Sequence, residues 1–514
     1  MILFFFFIWL ISAFLLHYLF KKIQTKPPLH LPPSPPSLPF IGHLHLLSPV
    51  VTKCFPYLSS KYGPLLYLRL GSRRLLLVSS PSHAAEIFKN NDLAFAERPK
   101  SPFCDKLSLF GEFSFLASPY GDYWKFIKKL SATELLGARQ VGRFNALRHE
   151  ELGRFLNRMV QKANKNESVN LGNELMKLTN NIICRMVMST RCSNEEDEAE
   201  KCREMILGCV ELVGKIGIAT MLGPFKKLGF WFSGRQVNDV TTNFEELLDK
   251  ILNDHEEKAK KLDGGEGEEN DFMDILLQVE QDKDAEFKIS KHHIKSFIMD
   301  LFLGGTNTSA VTMQWIMAEL INHPNAFNNL RHEIDSVVDK NRLITESDLP
   351  NLPYLRAVVK ETLRLYPPIP AIPRECREDC KIGGFDVPKE TIAIIDAYSI
   401  MRDPNLWDNP NEFRPERFMK PDDDDDKKNK QNLGFIPFGG GRRMCPASNF
   451  ALNIIHLSIA SMVQCFDFRL LGDEEREGSK VQVNMEAKAG LVMSLATPLL
   501  CVPVVHLKGP FGVN

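Results

Sequence analysis

The sequence predicts a mainly α-helical fold with a small β part, built as one large domain behind an N-terminal transmembrane helix. Three observations carry that expectation. Long stretches such as "GRFNALRHEELGRFLNRMVQKA" and "KSFIMDLFLGGTNTSAVTMQWIMAELINH" place apolar residues at helical spacing. Strand-like patterning is confined to "YGPLLYLRLGSRRLLLVSS", to "KIGGFDVPKETIAIIDAYSI" and to the C-terminal end. The chain opens on "MILFFFFIWLISAFLLHYLF", an apolar run of about 20 residues, long enough as a helix to cross a hydrocarbon core of roughly 30 Å.

That opening run is too long for a cleaved signal peptide and lacks a small-residue cleavage site. It ends in Lys21 and Lys22 with no charge before it, so residues after Lys22 are expected in the cytosol. His17, weakly polar and near the end of the run, does not disturb it. Residues 1–21 are the expected anchor. The proline cluster "KPPLHLPPSPPSLPF" makes 22–39 a stiff hinge. Beyond Leu38 there is no second composition break, so 40–514 is expected as one domain, large enough that an internal cofactor helps to organise its core. Within it a β-hairpin is expected around Gly71-Ser72, followed mostly by helices. Two charged tracts, 262–270 and 421–430, read as solvated loops.

Of 514 residues, 44% are hydrophobic and 25% charged, which suits a sizeable core and excludes global disorder. The formal net charge of -1 carries no basic excess, so nucleic acid is excluded as a partner. The 11 cysteines are odd in number and follow no framework, as expected of reduced thiols facing cytosol. Cys376 and Cys380 form a lone pair without a second pair of ligands, so a zinc site is not expected.

Four stretches bear on chemistry. "FGGGRRMC" sets three glycines and two arginines before Cys445, at the mouth of the helical run "ASNFALNIIHLSIASMV". Glycines permit close approach to something large and flat. A helix N-terminus favours a thiolate, and a thiolate on haem iron favours O–O cleavage. Arg443 can supply a cation for haem carboxylates. "GGTNTS" puts Gly304 and Gly305 inside an apolar helix at a cost of roughly 1 kcal/mol each against alanine, which suits either a widened turn, with Thr308 beside it, or close packing of two helices through small residues. Glu361 and Arg364, three residues apart, share a helix face, and Arg417 in "NEFRPERF" is placed to complete a charged triad.

In this order and spacing the stretches resemble the cytochrome P450 family, over essentially the whole chain. The cysteine loop matches the family's Phe-x-x-Gly-x-Arg-x-Cys pattern at Phe438, Gly441, Arg443 and Cys445. The resemblance implies a haem b held by Cys445 as axial thiolate, with the glycines lying against the haem face. It implies a structural triad of Glu361, Arg364 and Arg417, and a propionate contact at Arg374. Trp124 matches the family's Trp-x-x-x-Arg motif, but Lys128 stands where arginine is usual, and lysine lacks the bidentate fork. Ala447 replaces a usual glycine, and Asn307 replaces the acid usual before Thr308. Thr308 is then the expected catalytic donor and Asn307 the orienter of a water.

The implied activity is that of a monooxygenase using O2, with electrons from a partner, NADPH–cytochrome P450 reductase, at the endoplasmic reticulum membrane and in contact with its lipid. "YGDYWKFIKKL", "NEFRPERF" and "PFGGGRRMCPA" resemble plant microsomal enzymes of specialised metabolism that act on flavonoids or triterpenoids. The candidate contacts of a small lipophilic substrate are apolar: Phe103, Leu109, Phe110, Phe113 and Phe115; Phe302 and Leu303; Ile369, Ala371 and Ile372; Leu491 and Val492. An unpaired buried polar group costs roughly 1–3 kcal/mol, so this lining favours a triterpenoid, such as a friedelin-type pentacycle, over a flavonoid or isoflavonoid, which stays open as the alternative. Two other classes remain as rivals: a reductant-independent haem isomerase or dehydratase, and a non-catalytic haem protein.

Overall fold

A computed structural model describes residues 29–48, 50–99, 113–189, 242–257, 271–339, 341–419, 433–471 and 481–507, with the single positions Trp9, Ser12 and Gly208. Apart from Trp9 and Ser12, the expected anchor, residues 22–28 of the hinge and both charged tracts lie outside the described residues. So do Phe103, Leu109 and Phe110. Among the described residues no helix is long and apolar enough to cross a membrane.

The longer helices, in chain order, are α1 (Val51–Tyr62), α2 (Asp122–Leu130), α3 (Asn145–Asn164), α4 (Leu171–Met188), α5 (Phe272–Gln281), α6 (Lys291–Asn322), α7 (Pro324–Val337), α8 (Pro353–Leu365) and α9 (Ser448–Cys465). Helix α6 is the axis of the molecule. Its residues are apolar nearly all round, and most of them are buried, which is what an apolar helix without a polar face requires. It packs against α4, α8 and α9. Its start is fixed by a capping box between Ser290 and His293, whose Oγ and Nδ1 lie 2.8 Å apart.

The β part is small, as the patterning predicts. Strands β1 (Leu65–Leu70) and β2 (Arg73–Val78) form the expected hairpin, turning at Gly71 with φ of 58°. A second sheet joins β3 (Val169–Asn170) to β8 (Phe466–Leu470) and β9 (Leu500–Val505), in the order β3-β9-β8. Strands β4 (Ala371–Glu375) and β7 (Ile392–Asp396) extend the first sheet to the order β1-β2-β7-β4, and β5 (Cys380–Ile382) with β6 (Phe385–Val387) makes a separate hairpin. Pairing of Arg374 with Ala393 fixes the register that buries the Arg374 side chain.

Of the two readings of "GGTNTS", close helix packing stands and the widened turn is corrected. The pair Gly304-Gly305 does not interrupt α6, which runs through both glycines without a break. The glycines serve space instead. A Cβ on Gly305 would lie 2.8 Å from Ile183 Cδ1 of α4, so a side chain there would force Ile183 to shift where the two helices approach closely.

Candidate active site

The loop after Gly434 leads to Cys445 through tight backbone turns. Gly439 N–H donates to Ile436 O at 3.0 Å, Met444 N–H to Gly441 O at 3.1 Å, and Cys445 N–H to Phe438 O at 3.1 Å. Gly439 and Gly441 have φ of 75° and 66°, in the left-handed region that favours glycine. Only Gly439 of the three glycines lines the cavity beside Cys445. A Cβ on Gly440 would lie 2.6 Å from the Phe88 ring, and one on Gly441 would lie 2.3 Å from Asp92 Oδ1. The expectation that all the glycines lie against a flat cofactor is therefore corrected: Gly440 and Gly441 let the loop press on residues 88–92 behind it. Arg442 ties the same contact, its N–H and Nε reaching the two Asp92 oxygens at 2.8 and 3.1 Å.

The cavity encloses about 330 Å³. One wall is the cysteine loop with Phe438, Cys445 and Ala447. Helix α6 supplies another through Gly304, Gly305, Thr308, Ser309 and Thr312. Thr308 Oγ1 donates to Gly304 O at 2.5 Å, so its hydroxyl hydrogen is held by the helix in this state. Asn307 is buried but is not on the cavity wall; one residue before Thr308, it projects from another side of the helix. Burial pushes the Cys445 thiol up, and a hydrogen bond from the backbone at Ala447 pulls it down. Helix α9 begins at Ser448, so Cys445 sits just ahead of its N-terminus, as expected.

At one end of the cavity stand three guanidiniums, those of the buried Arg374 and Arg443 and of the half-buried Arg98. Arg443 donates to Ala96 O and Ser118 O, each at 2.7 Å, and lies 4.3 Å from the Trp124 ring centroid. Arg98 donates to Pro373 O at 2.8 Å. Arg374 reaches Arg443 O at 3.3 Å. Burial pulls Arg98 down to about 10 and Arg443 to about 9; Arg374 is lowered well below its usual value by burial and by its two cationic neighbours. Arg98 Nε, Arg443 Nη1 and Trp124 Nε1 are buried with no hydrogen-bond partner among the described residues. Buried donors are normally paired, and buried cations are normally matched by anions. Three orphaned donors at one end of a cavity, beside three crowded cations, fit the carboxylates of a porphyrin, with a cysteine on the wall to meet its metal.

Lys128 is placed differently from expectation. Its ammonium bonds to the Arg442 carbonyl, lies 5.0 Å from the Trp124 ring centroid, and is not on the cavity wall. Its shorter reach and single charged point bind the back of the loop instead of the cavity. Arg98 lines that end of the cavity instead, and nothing in "AERPK" marks it in the sequence.

The predicted triad is assembled. Arg364 Nε and Nη2 reach the two Glu361 oxygens at 2.7 and 2.8 Å, and Arg417 Nε reaches Oε1 at 2.9 Å. Arg414 N–H adds a fourth donor at 2.9 Å. Arg364 also donates to Met401 O and Pro410 O, at 3.1 and 2.7 Å. The triad thus staples α8 to the segment that leads into the cysteine loop.

Of the expected substrate contacts, Phe115, Leu303, Ile369, Ile372, Leu491 and Val492 line the cavity. Phe302 does not; it packs edge-to-face on Phe244 with ring centroids 6.0 Å apart. Ala371 is also off the wall, and Phe113 packs edge-on against His293. Sequence reasoning passed over Asp300, a single acid in the apolar run "KSFIMDLFLGG". It is buried, and Ser114 Oγ lies 2.9 and 3.0 Å from its two oxygens while Leu116 N–H donates at 3.3 Å. It therefore ties to α6 the loop that brings Phe115 and Leu116 to the cavity.

Burial pushes the Asp300 carboxyl up to about 7. The native state keeps this proton where an unfolded chain, with its carboxyl near 3.8, has released it. The native state then binds more protons between those two values, so this group's contribution to stability falls as pH rises from 3.8 to about 7. Asp300→Asn keeps one acceptor oxygen and removes the titration. Thermal unfolding of both chains across that window should show the wild type losing stability relative to the variant as pH rises. Parallel curves would contradict the buried, proton-holding Asp300.

A wall built from a cysteine loop and an end lined by unmatched guanidiniums define a haem-thiolate protein. The cytochrome P450 family model matches residues 32–493, and the chain belongs to that family. It is similar to Cytochrome P450 705A22 of Arabidopsis thaliana, 45% identical over 97% of this chain and 95% of the relative. It is also similar to the 3,9-dihydroxypterocarpan 6A-monooxygenase of Glycine max, 39% identical over 98% of each. A zebra fish cytochrome P450 solved with progesterone superposes with a TM-score of 0.74 at 25% identity, covering 90% of this chain and all of that one. The family is one of monooxygenases with a haem-thiolate iron, which use oxygen, a small substrate and a redox partner.

Proposed function

We propose that this monooxygenase inserts one oxygen atom from O2 into a C–H bond of a triterpenoid, a friedelin-type pentacycle, in one or more successive oxidations. The observation that carries the reading is the apolar wall of Phe115, Leu303, Ile369, Ile372, Leu491 and Val492 beside Cys445. Of the hydroxyls on the α6 side, Thr308 and Thr312 already donate to Gly304 O and Thr308 O. Few donors are left to read phenolic groups, and a polar substrate group without a partner costs roughly 1–3 kcal/mol. The steroid named with the zebra fish neighbour is an apolar fused-ring molecule as well. The pterocarpan named for the Glycine max relative keeps a flavonoid-type substrate as the second reading. Microsomes bearing the full chain and NADPH–cytochrome P450 reductase, fed triterpenes and flavonoids in parallel, decide between them. Oxygenated triterpene supports the proposal; oxygenated flavonoid alone overturns it.

The haem, when bound, supplies the activation of dioxygen. In this proposal Cys445 would hold its iron, and Arg98, Arg374, Arg443 and Trp124 would hold its carboxylates. Glu361, Arg364 and Arg417 keep the loop in register. Thr308 is the proton donor at the cavity wall; Asn307, buried on another side of α6, acts on it only through a water held between the two side chains, since an amide can donate and accept but does not ionise near neutral pH. Thr308→Ala should consume NADPH with little product and with release of peroxide. Asn307→Asp should be tolerated and Asn307→Leu should uncouple. Product formed per NADPH consumed measures all three, and normal coupling in Thr308→Ala and Asn307→Leu would favour the isomerase class instead.

Residues 1–21 are proposed as a retained anchor in the endoplasmic reticulum membrane, with 22–39 as hinge, 40–514 as the cytosolic catalytic domain, and NADPH–cytochrome P450 reductase as electron donor. The turn after the prolines supports contact with lipid, because Leu38, Phe40 and Ile41 stand exposed there, Phe40 by 72%. Deleting residues 2–21 should move much of the protein to the soluble fraction, with a remainder held through this turn. The segment Phe225–Phe232, basic and aromatic in sequence, lies outside the described residues. A truncated chain as membrane-bound as the full one would contradict the anchor.

A further inference from the structure

Cys376 and Cys380, which the activity does not use, lie at the end of β4 and the start of β5, and their sulfurs are 3.5 Å apart. Cys376 is fully buried and Cys380 is partly open to solvent. The turn between them is held in place. Cys376 N–H donates to Thr391 O at 2.9 Å, Glu390 N–H donates to Cys376 O at 2.7 Å, and Lys389 N–H donates to Asp379 Oδ1 at 2.7 Å. The Cys376 thiol lies 2.8 Å from Glu378 O as well as beside Cys380. A disulfide has sulfurs about 2.05 Å apart, so closure asks for an approach of roughly 1.5 Å within one short turn.

From this geometry we infer that Cys376 and Cys380 are a redox-active dithiol, a modification site that closes to a disulfide when it meets hydrogen peroxide. The inference is independent of the substrate proposed above. Cys380, the more accessible partner, is the attacking thiol. Its sulfur takes one oxygen of the peroxide as the O–O bond breaks, giving a sulfenic acid and one water. The buried Cys376 sulfur then attacks the Cys380 sulfur; the S–S bond forms, and the hydroxyl leaves with the Cys376 proton as a second water. Two thiols lose two electrons and two protons, and one peroxide is reduced to two waters. The contact between the thiols supports this assignment, because it holds Cys380 below the usual thiol value and Cys376 above it. The ligand-like alternative, a permanent S–H···S hydrogen bond, predicts no bond on oxidation.

The sequence offers a direct test. Trypsin cuts after Arg374, Arg377 and Lys381, so the two cysteines fall in separate peptides, Glu375–Arg377 and Glu378–Lys381. Full-length holoprotein is treated with hydrogen peroxide in the presence of reduced glutathione as internal standard. Free thiols are then alkylated, and the digest is analysed by mass spectrometry. The expected result is a linked pair of these peptides that dithiothreitol separates. Cys376→Ser should leave Cys380 as a sulfenic acid or a glutathione adduct, while Cys380→Ser should leave Cys376 a free, alkylated thiol. The haem absorption spectrum checks that both variants are folded. The inference is overturned if both peptides stay alkylated and unlinked while another cysteine of the chain, or the added glutathione, is oxidised. It is equally overturned if either cysteine is found joined to a different one.

Discussion

Cys445→Ser is expected to reduce product formation to the background of a chain without its cofactor. Serine keeps the size and the backbone hydrogen bond to Phe438 O, so the loop should still fold. What is lost is a sulfur able to serve as an anionic ligand, since an alcohol is protonated near neutral pH. The three guanidiniums at the far end of the cavity are untouched, so some haem is expected to remain through its carboxylates. Haem content and turnover should therefore separate: a partial fall in the first, a complete loss of the second. Turnover at wild-type level in the serine variant would remove Cys445 from the proposed role.

Glu361→Ala should give the largest loss of stability. Glu361 has no exposed surface and accepts from Arg364, Arg417 and the backbone of Arg414. Removing it strands two guanidiniums, one of them fully buried. Breaking a buried ion pair by removing one partner costs about 3–5 kcal/mol, a large part of a typical 5–15 kcal/mol total. Urea denaturation should show a midpoint lowered accordingly, together with loss of haem as the loop comes away from α8. A shift below about 1 kcal/mol would mean that the backbone carbonyls at Met401 and Pro410 alone satisfy Arg364.

The parts of the site that were legible in the sequence are those in which one short segment carries the whole message. "FGGGRRMC" holds the cysteine, the left-handed glycines and Arg443 within eight residues, and "KETLRL" shows Glu361 and Arg364 on one face. Helix α6 was legible from the length of its apolar stretch, and the β1–β2 hairpin from its alternation and its Gly-Ser turn. The unread parts depend on residues far apart in the chain. Arg98 belongs to the cation cluster because β4 brings Arg374 beside it, 276 positions away in sequence. The Gly304-Gly305 pair read as a break because glycine is a poor helix former, but burial of an apolar helix overrides that preference. Lys128 and Asn307 could be named as departures from a pattern, but the direction of each side chain was set by neighbours: the Arg442 carbonyl for one, the turn of α6 for the other.

The central claim is that Cys445 and the Arg98–Arg374–Arg443 end of this cavity hold a haem through its iron and its carboxylates. The absorption spectrum of the full-length chain, reduced and exposed to carbon monoxide, tests it most directly. The account predicts the red-shifted Soret band of a thiolate-ligated haem in the wild type and in the Cys376→Ser control, and its absence in Cys445→Ser. The same band persisting in Cys445→Ser, or a wild type that binds haem without it, would contradict the account.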